Sequence, residues 1–217
     1  MNIQALPEVK ICGLTRRADA ETAVGAGASY LGFILAPGGR RTVSVATIIE
    51  LAGGLDARRV GVFVDASGDE LRRAGEAARL DVLQLHGDET PELAADLRSL
   101  GFTVWKAVRP RTGAEFEAAA GRWSGAVDAL LLDGWSPDAH GGTGARFPWA
   151  EVAALRAALD GGTRLVAAGG LRPGNVAEAV RLLRPDVVDV SSGVESAPGV
   201  KDAEAIRTFV AAARPRS

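Results

Sequence analysis

A single cysteine stands in the 217 residues, which rules out an internal disulfide framework. No uninterrupted apolar run approaches the length of a membrane span. Charge of one sign is lacking too: 25 Lys and Arg against 27 Asp and Glu leave a scattered net charge of −2, with no basic stripe for nucleic acid. The first residues, Met1-Asn2-Ile3-Gln4-Ala5-Leu6-Pro7, do not contain the apolar core of a secretory leader. No stretch has the composition of a linker between domains. With 47% hydrophobic and 24% charged residues, the composition is that of an ordinary globular protein. The expectation is one soluble, cytoplasmic domain over 1–217 with a small-molecule partner and neither nucleic acid nor membrane. A monomer and a homodimer are both open.

What is present is an alternation of short aliphatic runs with longer segments of Ala, Leu, Arg and Glu, the pattern of repeated strand and helix units. Strands are predicted over 9–12, 30–35, 59–64, 82–86, 103–108, 127–133, 164–168 and 187–191. Helices are predicted over 17–27, 44–53, 68–80, 89–100, 116–122, 148–159, 175–183 and 203–213. Ser44, Pro91 and Pro173 before Asn175 supply helix starts, and Gly53, Gly101 and Gly161 suit helix ends. Eight such units predict a closed (β/α)8 (TIM) barrel, compact for a fold of roughly 250 residues. The rival, a doubly wound open sheet, would place a G-x-G-x-x-G fingerprint after its first strand, and here Cys12-Gly13-Leu14-Thr15 stands there instead.

In a barrel the active site forms where strands end, and these ends are polar. Strand one ends on Cys12; strand alternation puts Lys10 on the same face, where its charge favours the thiolate. Taken alone, a cysteine at a strand end is more often a small buried hydrophobe. Strand four delivers Gln84 and His86 on one face, and strand six delivers Asp133 after an apolar run. Arg41, in the Gly-rich loop after strand two, is suited to grip a carboxylate, with Arg40 beside it. Gly141-Gly142-Thr143-Gly144 follows strand six. Ala168-Gly169-Gly170-Leu171 and Ser191-Ser192-Gly193-Val194-Glu195 follow strands seven and eight, where barrels bind phosphate, and the pair at those positions favours phosphate binding over two tight turns. Closure of the sheet also predicts that Lys10 and Asp189 are inward-facing neighbours.

Together these motifs, with Leu31-Gly32-Phe33, Val60-Gly61-Val62-Phe63-Val64, Leu83-Gln84-Leu85-His86-Gly87, Leu131-Leu132-Asp133, Phe147-Pro148-Trp149, Val188-Asp189-Val190 and Pro198-Gly199-Val200-Lys201-Asp202, resemble the phosphoribosylanthranilate isomerase family over nearly the whole chain. The resemblance implies an Amadori rearrangement in tryptophan biosynthesis. It makes Cys12 the general base, Asp133 the general acid and Arg41 the partner of the anthranilate carboxylate. His86, Gly142 and Gly144 would contact substrate, and Gly169, Gly170, Ser192 and Gly193 its phosphate. It implies neither metal nor organic cofactor. The expected pKa shifts are upward for Asp133, through burial, and downward for Cys12, through Lys10, with a bell-shaped rate profile around neutral pH.

The chain departs from the family in having Gly39 where a serine often precedes the arginine, and in a longer Gly134–His140 segment. That segment reads either as a lid, with Trp135 stacking on the aromatic ring, or as an exposed turn; Trp105, Trp123 and Trp149 read as packing residues. Two alternatives are an isomerase for the related aminoaldose of histidine synthesis and a sugar-phosphate-binding barrel without catalysis. The histidine-pathway barrels resemble one another in two aspartates, at the ends of strands one and five, and a second phosphate motif in the first half of the chain. Cys12 and the lack of that motif oppose the first alternative, and a facing acid and base oppose the second.

Overall fold

The computed structural model describes residues 6–134, 149–159 and 161–214. Its strands are β1 (Glu8–Ile11), β2 (Tyr30–Ile34), β3 (Arg58–Phe63), β4 (Val82–Leu85), β5 (Thr103–Val108), β6 (Ala129–Leu132), β7 (Arg164–Ala167) and β8 (Val187–Val190). All pair in parallel and in chain order, and β1 closes on β8, giving the expected (β/α)8 barrel. Strands such as Ala129-Leu130-Leu131-Leu132 are buried throughout because one face fills the barrel and the other meets helices. Inside lie Tyr30, Val60, Val82, Trp105, Leu131, Val166 and Val187, with Trp105 edge-on to Tyr30 at 5.0 Å between ring centroids. The outward set, including Ile11, Phe33, Leu83 and Leu85, meets Phe116, Ile206 and Phe209 of the helices. Burying each such side chain is worth about 1.5–3 kcal/mol.

The helices are α1 (Arg17–Ala26), α2 (Val45–Ala52), α3 (Gly68–Ala78), α4 (Pro91–Ser99), α5 (Gly113–Trp123), α6 (Trp149–Ala154), α7 (Val176–Leu183) and α8 (Ala203–Ala213). Capping explains where several begin. Ser44, Ser67, Thr90 and Thr112 each accept a backbone N–H from the first turn, so α5 starts three residues before Phe116, where its apolar pattern becomes visible. The single helix expected over 148–159 is instead the short α6 and a 3-10 turn, Arg156–Ala158. A small antiparallel hairpin, β9 (Glu195–Ala197) with β10 (Val200–Lys201), follows β8 and was not expected. Trp105 and Trp123 are buried, as packing residues should be, and Trp149 opens α6. Among the described residues no helix is long and apolar enough to cross a membrane.

The strands stop one residue before the polar residues that sequence patterning placed at their ends. Those residues are nonetheless still tied to the ladder. Cys12 N–H donates to Val190 O (2.8 Å), His86 N–H to Phe63 O (2.8 Å) and Asp133 N–H to Val108 O (3.0 Å). Each backbone is therefore fixed by its neighbouring strand just where the chain turns out of the barrel.

Candidate active site

These strand ends surround a cavity of about 350 Å³ at the C-terminal mouth of the barrel. Cys12, Arg41, His86, Asp133, Gly169, Gly170, Ser192 and Gly193 all line it, so eight of the ten residues singled out from sequence share one space. The other two, Gly142 and Gly144, lie outside the described residues, as does Trp135. Arg40 is exposed and does not line the cavity.

At the β1 pole, Lys10 is fully buried and donates to Asp189 Oδ2 at 2.8 Å, the pair predicted from closure of the sheet. The register that aligns Lys10 with Asp189 produces it. Burial works against the Lys10 ammonium, but Asp189 and Cys12 outweigh it and hold its pKa up. Cys12 is only 6% exposed. Burial pushes its thiol pKa up, and the opposing pull of Lys10 does not compensate, so the expected downward shift is corrected. Gly32 on the neighbouring strand is part of this pole: a Cβ there would stand 2.9 Å from Cys12 Sγ.

At the β6 pole, Asp133 Oδ2 contacts His86 Nε2 at 3.1 Å and accepts from Arg109 Nε at 3.4 Å. Gln84 Nε2 lies 2.9 Å from His86 Nδ1, so the imidazole is held between Gln84 and Asp133. Burial raises the Asp133 pKa, but His86 and Arg109 outweigh it and the carboxyl is held below its ordinary value. The expected upward shift is therefore also corrected. Arg109, immediately past β5, went unnoticed in the sequence, although it obeys the same rule of polar residues beyond strand ends.

Two further regions complete the cavity. Gly169, Gly170, Ser192 and Gly193 lie after β7 and β8, where a Cβ on Gly193 would come within 1.9 Å of Leu171 O, so that glycine lets the two turns touch. From β2 and β3, beyond β1 in the ring, come Ile34, Ala36, Val62 and Val64, an apolar wall with Arg41 beside it. Arg41 is already engaged: Nε and Nη2 donate to the Glu195 carboxylate at 2.8 and 2.7 Å. Glu195 also accepts from Lys201 at 2.9 Å, and these two cations bring its pKa down to about 2 although burial opposes them. Among the described residues no group of three or more His, Cys, Asp or Glu is placed to hold a metal ion.

Residues 9–212 match the family model described as N-(5'-phosphoribosyl)anthranilate (PRA) isomerase. The chain is similar to N-(5'-phosphoribosyl)anthranilate isomerase of Chromohalobacter salexigens, 46% identical over 205 residues, covering 93% of this chain and 92% of that protein. It is similar to the crystal structure of phosphoribosyl anthranilate isomerase from Thermotoga maritima, with a TM-score of 0.87, 34% identity and coverage of 97% and 100%. A structure of phosphoribosyl anthranilate isomerase in complex with reduced 1-(o-carboxyphenylamino)-1-deoxyribulose 5-phosphate gives a TM-score of 0.85 at 32% identity, covering 97% of this chain and 100% of that one.

Proposed function

The chain belongs to the N-(5'-phosphoribosyl)anthranilate isomerase family, and from that premise we propose how its own residues divide the work. The activity is the rearrangement of N-(5'-phosphoribosyl)anthranilate to 1-(2-carboxyphenylamino)-1-deoxyribulose 5-phosphate in tryptophan biosynthesis. Neither the histidine-pathway isomerase nor the non-catalytic barrel is favoured.

Asp133 gives a proton to the furanose ring oxygen as the C1–O bond breaks, and the anilino nitrogen lone pair forms the C=N bond of an iminium. Cys12, as thiolate, then takes the C2 proton, and the electrons of that bond form the enolamine, which tautomerises to the ketone. Gly169, Gly170, Ser192 and Gly193 receive the phosphate, where backbone N–H groups and a hydroxyl can donate to it. The aromatic ring lies along Ile34, Ala36, Val62 and Val64, with its carboxylate on Arg41. His86 sits on Asp133 and holds it in place.

The thiol is held protonated and the carboxyl ionised, so the reactive form is reached when the proton of Cys12 is exchanged for one on Asp133. That exchange leaves the total number of bound protons unchanged. The observation that carries the reading is the convergence of Cys12, Asp133, Arg41 and both glycine turns on one cavity. The test is loss of phosphoribosylanthranilate fluorescence on adding the protein. Wild type should abolish the signal, and Cys12→Ser and Asp133→Asn should leave it nearly constant; full activity in either variant would overturn the assignment.

A further inference from the structure

Arg41 enters the cavity from the loop after β2, but what fixes its guanidinium comes from beyond β8. Glu195 takes the Nε and Nη2 hydrogens at 2.8 and 2.7 Å, a two-pronged grip that sets the plane as well as the position of the group. The Glu195 carboxylate is held in turn: Lys201 Nζ donates to it at 2.9 Å and to Ser191 O at 3.0 Å, and Gly199 N–H approaches it at 3.3 Å. The Glu195 side chain is 5% exposed, Lys201 is fully shielded and Arg41 remains 31% exposed. A buried carboxylate between two cations leaves this triad with one net positive charge, so the guanidinium keeps its attraction for an anion. The grip also leaves the Nη1 side of Arg41 uncommitted to Glu195. Glu195 directly follows the Ser192–Val194 turn, so the group that holds Arg41 is continuous with the turn expected to hold phosphate.

We propose that Glu195 is a positioning residue for the substrate's aromatic carboxylate: it fixes Arg41 so that Nη1 meets that carboxylate, with Lys201 offsetting the repulsion between the two carboxylates. This rests on the reading that Arg41 binds that group. The experiment measures, by calorimetry, dissociation constants for reduced 1-(o-carboxyphenylamino)-1-deoxyribulose 5-phosphate and for the same compound lacking the aryl carboxylate, with wild type, Arg41→Ala and Glu195→Gln. Wild type should prefer the carboxylated ligand at least about 10-fold, roughly one charge-assisted contact. Arg41→Ala should remove that preference. Glu195→Gln should lose most of it while binding the decarboxylated ligand within about threefold of wild type, because the phosphate turn is intact.

If wild type shows no preference, or Arg41→Ala keeps it, the Arg41 reading fails and the proposal with it. If Arg41→Ala behaves as expected but Glu195→Gln keeps the preference, only the proposal fails. Equal weakening of both ligands by Glu195→Gln would make Glu195 merely structural, and tighter binding of the carboxylated ligand would make it a competitor for Arg41; either outcome overturns the proposal. Should Glu195→Gln not fold, Glu195→Asp retains the charge beside Lys201 but draws the carboxylate back, and a preference between those of wild type and Arg41→Ala is required.

Discussion

Cys12 and Asp133 face one cavity from opposite environments, and the same physical effect has opposite results on them. Around Cys12, burial is close to complete, and the one cation on its own strand, Lys10, is also bonded to Asp189. Desolvation prevails and the thiol is favoured. Around Asp133, whose side chain is 27% exposed, desolvation is outweighed by direct contacts from His86 and Arg109, and the carboxylate is favoured. The lesson is that a neighbouring charge shifts a pKa only by what its other partners leave available. Both groups consequently rest in the state opposite to the one the proposed proton transfers require, and each pKa unit of separation costs about 1.4 kcal/mol, a factor of ten, in the population of that form.

The hardest test of this comparison is removal of each pole. Cys12→Ser and Asp133→Asn should each lower kcat by about 10²–10⁴-fold with much smaller changes in KM, as fits lost proton transfer. A Cys12→Ser enzyme with near-normal kcat would place the base elsewhere. The β1 pole should also be the more costly to disturb structurally. Lys10→Met or Asp189→Asn leaves one buried charge without its partner and should destabilise the fold by about 3–5 kcal/mol in urea unfolding, whereas Arg109→Ala, an exposed contact, should cost under about 1 kcal/mol. Equal losses would erase the distinction between the poles.

Next in size is Arg41→Ala, which should raise KM about 30-fold, near 2 kcal/mol, and lower kcat less; an unchanged KM would reject its role. The finest test is pH. Between a lowered Asp133 and a raised Cys12, the doubly required form is a constant fraction, because each unit of pH gains tenfold in thiolate and loses tenfold in protonated carboxyl. The plot of kcat/KM should thus be flat from about pH 5 to about 8.5, with Asp133 setting the acid limb and Cys12 the alkaline one. This replaces the bell centred on neutrality that strand-end chemistry predicts, and observation of such a bell would refute the shifts. His86→Asn should move the acid limb to higher pH by removing the contact that holds Asp133 down. Alkylation of Cys12, the only cysteine present, should have a midpoint above the free-thiol value of about 8.5.

The sequence by itself determined the eight-unit order, the strand positions to within two residues and the main polar groups of the cavity, because hydrophobic periodicity and the polar residues closing several strands are local signals. Closure even made the Lys10–Asp189 pair predictable, since the last strand of a ring must lie beside the first. What local signals did not carry is how far each group is desolvated and which of several charges reaches it. Arg109 and Asp133 are neighbours only through the pairing of β5 with β6, Arg41 and Glu195 are separated by 154 positions, and the β9–β10 hairpin that brings Lys201 to Glu195 is too short to announce itself. Tertiary structure decided those contacts, and because a pKa is a balance between burial and specific partners, it also decided the protonation states at both poles.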